Sequence, residues 1–169
     1  MSTAKRKGSP WNSVANAGTR PANESRSARR RKDAPQRYEQ LIAFLDTNLS
    51  APVDRQEAAD GSVQFVGGEP ADVVVSLTAS SVIVSEFAGV WETPLTFSAK
   101  PRRVGVLKWR RLPETALFNA LQVLIKGARE ARLSRFRECR FCGRSTAPEW
   151  MHDDGVCQAC SDQHSGAVH

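Results

Sequence analysis

The sequence predicts an α+β fold, an antiparallel β-meander of four to five strands flanked by two helices, followed by a small cysteine-rich module. Apolar residues recur at helical spacing in two segments, whereas β-branched and aromatic residues follow a period of two over 62–110. All four cysteines of the 169-residue chain lie in its last 31 residues. We therefore expect a basic tail at 1–33, an α+β domain at 34–136 and a cysteine module at 137–169.

The two helices have recognisable starts. Asp33 can cap a first helix with Pro35 in its first turn, and the spacing predicts a helix over 34–48. A second helix is predicted to open at 112–114, where Pro113 stands near its start. One apolar stripe of this second helix should cover a face of the sheet, and its members are Leu117, Leu121, Leu124, Ile125 and Ala128.

Short strands with tight connections favour an antiparallel meander. The predicted strands are Ser62–Val66, Asp72–Leu77, Ser81–Phe87, a single strand through Trp91–Phe97, and Arg102–Arg110. Within the fourth of these strands, Pro94 points outward and marks an edge or a bulge.

The tail at 1–33 is rich in Ser, Ala, Asn, Gly and Arg, and we expect it to be disordered because it has too little apolar surface to bury. The run Arg29-Arg30-Arg31-Lys32 is predicted to be either a phosphate-binding arm or a solvated leader. No secretory signal and no apolar run of the roughly 20 residues needed to span a bilayer is visible. We expect a soluble, cytoplasmic protein with no membrane partner and no small-molecule substrate.

The net charge of +6 is strongly segregated along the chain. Residues 1–37 carry a net charge of +8 and residues 38–99 carry −8. Residues 100–144 carry +10, and the last 25 residues carry −4. The two basic blocks predict a polyanion partner, and the alternative is that the charge serves solubility alone.

Nucleic acid, either RNA or DNA, is the partner that this pattern favours, bound mainly through phosphates, in a ribosome-associated or regulatory role. Lys126 and the three arginines that follow it are spaced by three, and we expect this end of the second helix to face solvent. Trp109 is predicted either to stack on a base or to lie in the core. The predicted contact residues are Arg29, Arg30, Arg31, Lys32, Arg102, Arg103, Lys108, Arg110, Arg111, Arg129, Arg132 and Arg135.

The cysteines form two pairs, Cys139-x2-Cys142 and Cys157-x2-Cys160, separated by fourteen residues. Four thiolates at this spacing can surround one metal ion tetrahedrally, which predicts one structural Zn²⁺ with no open coordination position. Iron is the alternative metal, and His152 or His164 is an alternative ligand for one position. Two disulfides or free thiols are a further alternative, although an intracellular chain disfavours disulfides.

The segment from Cys139 to Cys160 also resembles a GATA-type zinc finger. The shared features are a Cys-x-x-Cys-Gly knuckle ending at Gly143, a Pro-x-Trp hairpin at 148–150, and a Gly followed by Cys-x-x-Cys at 155–160. The resemblance covers about 25 residues of the 169 and implies a treble-clef fold. The chain lacks the family's basic residues after Trp150 and its basic tail, so the resemblance implies the fold without the DNA-reading surface.

No arrangement of residues predicts catalysis. The run His152-Asp153-Asp154 suggests a metal-dependent nuclease, but the surrounding charge is acidic and little room is left before Cys157. All three histidines lie in the last 18 residues, and no phosphate-binding Gly-rich loop is present. We therefore predict a non-enzyme, and the alternative to nucleic-acid binding is a protein-interaction adaptor whose acidic surfaces dock a basic partner.

Overall fold

The computed structural model describes residues 34–152 and 154–165. The predictions about the tail, including the basic arm at 29–32, therefore lie outside the described residues. The chain divides into two units, Met1–Pro35 and Gln36–His169, and the contacts given below lie within the second.

The described part of the chain contains three α-helices: α1 (Ala34–Asn48), α2 (Glu114–Leu133) and α3 (Gln158–Ser165). The first two agree with the predicted helices. The predicted stripe of α2 is buried at Leu117, Leu121, Ile125 and Ala128, while Leu124 is half-buried. Because these positions share one side of a 3.6-residue helix, α2 lies with this side on the strands at Val73–Leu77, Val82–Glu86 and Arg102–Leu107.

The central sheet has five antiparallel strands in the order β1-β2-β3-β4-β7, which confirms an antiparallel sheet, but β4 pairs directly with β7 and no strand through 91–97 lies between them. Strand β1 is absent from the sequence prediction because its residues, VDRQE, show no apolar alternation. It forms through pairing with β2, in the register Val53↔Gly67. The sheet strands are β1 (Val53–Glu57), β2 (Val63–Gly67), β3 (Val73–Leu77), β4 (Val82–Glu86) and β7 (Arg102–Leu107).

The single strand predicted through 91–97 is wrong. The chain turns at 94–95 and forms a separate hairpin of β5 (Gly89–Thr93) and β6 (Thr96–Ala99), in which Trp91 pairs with Phe97. Pro94 explains the difference, because a residue without an N–H suits a turn better than the middle of a strand. The strand predicted over Arg102–Arg110 is also too long, since β7 ends at Leu107 and the chain turns at 109–111.

The core lies between one face of the sheet and the two long helices. Phe65, Val75 and Val84 come from the sheet and are fully buried. At Gly105 of β7 a Cβ atom would stand 2.6 Å from Leu124 Cδ2, so the missing side chain lets α2 approach the strand. Trp109 is 1% exposed and donates its indole N–H to the Thr78 carbonyl at 3.0 Å, which confirms the core interpretation of this residue.

Two leucines of α2 provide a test of this packing. Replacing the buried Leu121 by Ala should lower the free energy of unfolding by about 3 kcal/mol, because it removes transfer energy and leaves a cavity. Leu133→Ala is the matched control, since Leu133 is 52% exposed, and it should cost less than about 1 kcal/mol. Urea unfolding followed by far-UV circular dichroism measures both, and equal losses would contradict the predicted orientation of α2.

Candidate functional site: thiol cluster and aromatic pocket

The first two cysteines sit on a tight turn between two very short strands, β8 (Arg137–Glu138) and β9 (Ser145–Thr146). The Cys139 carbonyl accepts from the Gly143 N–H at 2.8 Å, and the Cys139 N–H donates to the Arg144 carbonyl at 3.0 Å. Gly143 has φ +67°, a conformation that costs glycine little because it has no Cβ. This glycine therefore permits the turn that directs both thiols to the same side.

The second pair lies at the start of α3. Cys157 directly precedes the helix, and Cys160 follows within its first turn. Cys157 also bridges to Met151, which brings it back against the segment after Trp150. A small core of Cys139, Val156, Cys157 and Cys160, with Met151 packed against it, surrounds the thiols.

The four sulfur atoms form one cluster. The Sγ atoms of Cys139, Cys142, Cys157 and Cys160 all lie within 4.8 Å of one another. The Cys142 and Cys157 Sγ atoms are 3.8 Å apart. A tetrahedron with metal–sulfur bonds of about 2.3 Å has edges of about 3.8 Å. The predicted cysteines are thus brought together, and the cluster is sized for one metal ion.

Hydrogen bonds and the close packing of the thiols shift the pKa values of three cysteines in the cluster, two downward and one upward. Backbone N–H groups, led by that of Cys157 at 3.3 Å, lower the pKa of Cys139 to about 6. The Arg144 guanidinium is the main cause that lowers the pKa of Cys142. The neighbouring Cys157 side chain is the main cause that raises the pKa of Cys160 to about 12. Without a cation, the cluster therefore resists becoming fully ionised.

A buried ion pair connects the thiol module to α2. Arg132 of α2 is 1% exposed, and its guanidinium forms a two-pronged pair with the Glu149 carboxylate, with Nη1 to Oε2 at 3.0 Å. Its Nε donates to the Ala71 carbonyl at 3.1 Å, and the Phe87 and Phe136 rings flank it. The Glu149 carbonyl also accepts from the Trp91 indole N–H at 2.9 Å. Glu149 thus holds α2 with its side chain and the β5–β6 hairpin with its backbone.

The expectation that the basic end of α2 faces solvent is wrong for Arg132 and only partly right for its neighbours. Arg129 pairs with Asp72 at 3.0 Å, and Arg135 pairs with Glu86 at 3.1 Å. Arg102 of β7, another predicted phosphate contact, lies 3.5 Å from the same Glu86 carboxylate. The physical reason is that Asp72, which precedes β3, and Glu86 of β4 face these arginines and neutralise them within the fold.

Four of the predicted contact residues keep an exposed position without an ion pair to another described residue: Arg103, Lys108, Arg110 and Arg111. Lys108 Nζ contacts the Ser81 hydroxyl at 2.9 Å, and the Arg110 guanidinium lies 5.0 Å from the Trp109 ring centroid. These residues lie on β7 and in the turn after it.

An aromatic cluster joins the hairpin to the thiol module. Trp150 contacts Trp91 edge to face, with ring centroids 5.3 Å apart, and lies nearly parallel to Phe97 at 6.2 Å. Trp150 thus packs on the hairpin, and it stays 40% exposed. Next to this cluster is a pocket of about 820 Å³, lined by the β2–β3 loop, Phe97, Phe136 and the thiol module.

Sequence reasoning missed Glu149 and the pocket because both depend on contacts between distant segments. One signal was available: the acidic block 38–99 and the basic block 100–144 have nearly equal and opposite charge. Pairing of the two blocks with each other would have predicted internal salt bridges such as Arg129–Asp72.

Comparison with protein-family models, curated proteins and solved structures yields no match for this chain. Among residues 34–152 and 154–165, no helix combines the length and the apolar character needed to cross a membrane. The site must therefore be interpreted from its own geometry and chemistry.

The Arg132–Glu149 pair gives a stability prediction. Arg132→Met should lower the free energy of unfolding by about 3–5 kcal/mol, because it leaves the Glu149 carboxylate buried without its partner. Adding Glu149→Leu should recover most of this loss, since both charges are then absent. Lys126→Met on the same helix is the control and should cost about 1 kcal/mol or less, because Lys126 and its partner Glu130 are both exposed. Urea unfolding of the metal-loaded variants measures these values, and equal losses for Arg132→Met and Lys126→Met would contradict the prediction.

Proposed function

We propose that the protein is a zinc-containing, non-enzymatic interaction adaptor, in which a structural zinc ion holds the wall of a partner-binding pocket. The observation that carries this proposal is the aromatic pocket beside the thiol cluster, which Cys157, Trp150 and Phe97 all line. The thiol module forms part of the pocket wall. The metal would therefore support binding by stabilising this wall, and it would need no catalytic role.

Zinc is the metal that the donor set fits best. Four thiolates select soft or borderline metals, and Zn²⁺ accepts any geometry that its ligands impose. With all four positions taken by sulfur, the ion has no open position for water or substrate. Its contribution is folding energy for a module whose core is otherwise small.

A treble-clef fold of the GATA type is part of this proposal. The order of elements supports it: the very short β8–β9 hairpin, whose turn carries Cys139 and Cys142, is followed by a helix that begins beside the second cysteine pair. The segment after Trp150 contains Asp154, which pairs with Arg140 at 3.7 Å. The acidic side chain there disfavours a phosphate-binding role for this surface.

The balance of charge favours a protein partner over a polyanion for the region after the tail. Residues 34–169 contain 15 Lys and Arg against 16 Asp and Glu, a net charge of −1. Several arginines of this region are neutralised by carboxylates inside the fold, as with Arg132 and Glu149. Exposed aromatic side chains in a concave surface are typical of sites that bind other proteins.

Nucleic-acid binding is the second candidate, and a specific observation supports it. Arg103, Lys108, Arg110 and Arg111 are all exposed on β7 and in the turn after it. The sequence of residues 1–33 separately contains nine further Lys and Arg. The exposed group on β7 and its turn would bind phosphates without reading bases. RNA and DNA are equally compatible with it.

The zinc proposal predicts one tightly bound zinc per chain. Cys142→Ser should lower zinc affinity strongly, because it removes one of four thiolate ligands. His152→Ala is the control, and it should leave the stoichiometry at one, since the imidazole lies outside the thiol cluster. Elemental analysis of protein purified under reducing conditions without chelator measures both. Absence of zinc, or its loss in His152→Ala, would contradict the proposed ligand set.

The adaptor proposal predicts a protein cross-link from the pocket. A photocrosslinking amino acid at Ser145, which is exposed and lines the pocket, should give a discrete protein adduct in cells. The same group at Val123 of α2, which is 70% exposed and is not among the residues that line the pocket, is the control and should give none. Trp150→Leu in the Ser145 background should abolish the adduct because it removes the aromatic wall.

Nuclease treatment separates the two candidate functions. An adduct that survives nuclease supports the adaptor. A nuclease-sensitive adduct from Ser145, or equal yields from Ser145 and Val123, would contradict the adaptor and favour the nucleic-acid candidate.

A further inference from the structure

The pocket beside the thiol cluster has the size and the lining of a ligand site. Its volume of about 820 Å³ lies within the range of roughly 300–1,000 Å³ that is typical of ligand pockets. The Phe97 and Trp150 rings are nearly parallel, with 10° between their planes, and are 38% and 40% exposed. Flat aromatic faces that remain accessible on a pocket wall can receive a planar group.

The charges around the pocket favour a cation. Glu69 and Asp162 line it, are exposed, and form no ion pair with another described residue. Arg144 is the basic residue of the lining, and its guanidinium is engaged by the Cys142 side chain. Four thiolates around a divalent ion carry a net charge of −2, which adds to the negative potential where Cys157 lines the pocket.

The pocket wall already binds the guanidinium group of one of the protein's own arginines. Arg132 lies with its guanidinium carbon 5.3 Å from the Phe87 ring and 5.1 Å from the Phe136 ring, and Glu149 pairs with it. Phe87, Phe136 and Glu149 all line the pocket. Guanidinium groups suit such surroundings because they are planar, weakly hydrated and stack on aromatic rings.

We propose that the pocket binds an arginine side chain of a basic segment in a partner protein. The guanidinium lies against Phe97 and Trp150, and Glu69 and Asp162 supply its counter-charge. This inference rests on the adaptor function and specifies what the adaptor recognises. A nucleic-acid base would find the same aromatic faces, but its phosphates would meet the two carboxylates.

Matched peptides test the proposal on the full-length, zinc-loaded protein. The probe is the capped pentapeptide Gly-Ala-Arg-Ala-Gly, and the control peptide carries citrulline, a neutral analogue of similar shape, in place of arginine. The arginine peptide should shift the indole N–H signal of Trp150 in NMR spectra and bind at least about tenfold more tightly than the citrulline peptide. Equal affinities, or no shift with the arginine peptide at about 10 mM, would overturn the proposal.

Variants that remove one negative charge test whether the arginine peptide binds in the pocket. Asp162→Asn should lower the affinity for the arginine peptide about threefold or more, because it removes one counter-charge at the pocket. The affinity for the citrulline peptide should not change. Asp46→Asn on the exposed side of α1 is the matched control and should change neither affinity. An equal effect of the two variants would mean that the peptide senses only the overall charge, and would overturn the proposed site.

Different results would contradict the adaptor proposal and the arginine-binding proposal. If the Ser145 cross-link captures a protein while arginine and citrulline peptides bind equally, the adaptor function stands and the arginine specificity is wrong. If an oligothymidine binds the pocket and displaces the arginine peptide at about 150 mM salt, stacking outweighs the carboxylates and the proposed ligand class is wrong.

Discussion

The arrangement of the whole site depends on one buried ion pair. Arg132 reaches from the end of α2 to Glu149 in the thiol module, and it also binds the Ala71 carbonyl in the β2–β3 loop. Taking both charges out of water is expensive, so the pair contributes less to stability than to position. Because each charge is tolerable only in the presence of the other, the pair selects one orientation of the thiol module on the sheet.

This constraint links the thiol cluster to the pocket. Glu149 and Trp150 belong to one short turn, Pro148–Trp150, between the two cysteine pairs. The turn reaches α2 through the Glu149 carboxylate and the hairpin through the Trp91 indole. A metal ion bound by the thiols would therefore also fix the aromatic wall. The pocket is thus a product of tertiary structure, built from segments that lie far apart in the sequence.

In the folded protein, the acidic and basic blocks of the chain form ion pairs with each other. Carboxylates of the acidic block, including Asp72 and Glu86, face arginines of the basic block. Much of the charge that suggests an external polyanion is thereby neutralised inside the molecule. Neutralisation is incomplete at the pocket, where Glu69 and Asp162 leave a negative surface next to exposed aromatic rings.

The elements with local signals could be predicted from the amino-acid sequence. Apolar periodicity predicted α1, α2 and most of the five-stranded sheet, and cysteine spacing predicted the four-thiol cluster, because the residues that decide these features are close together in the chain. Tertiary structure alone decided the rest. Strand β1 forms only by pairing with β2, and the side of α2 that carries Arg132 is buried only because Glu149 meets it there. Whether a charged side chain faces solvent depends on which distant group lies opposite, and residue spacing along one helix carries no information about that group.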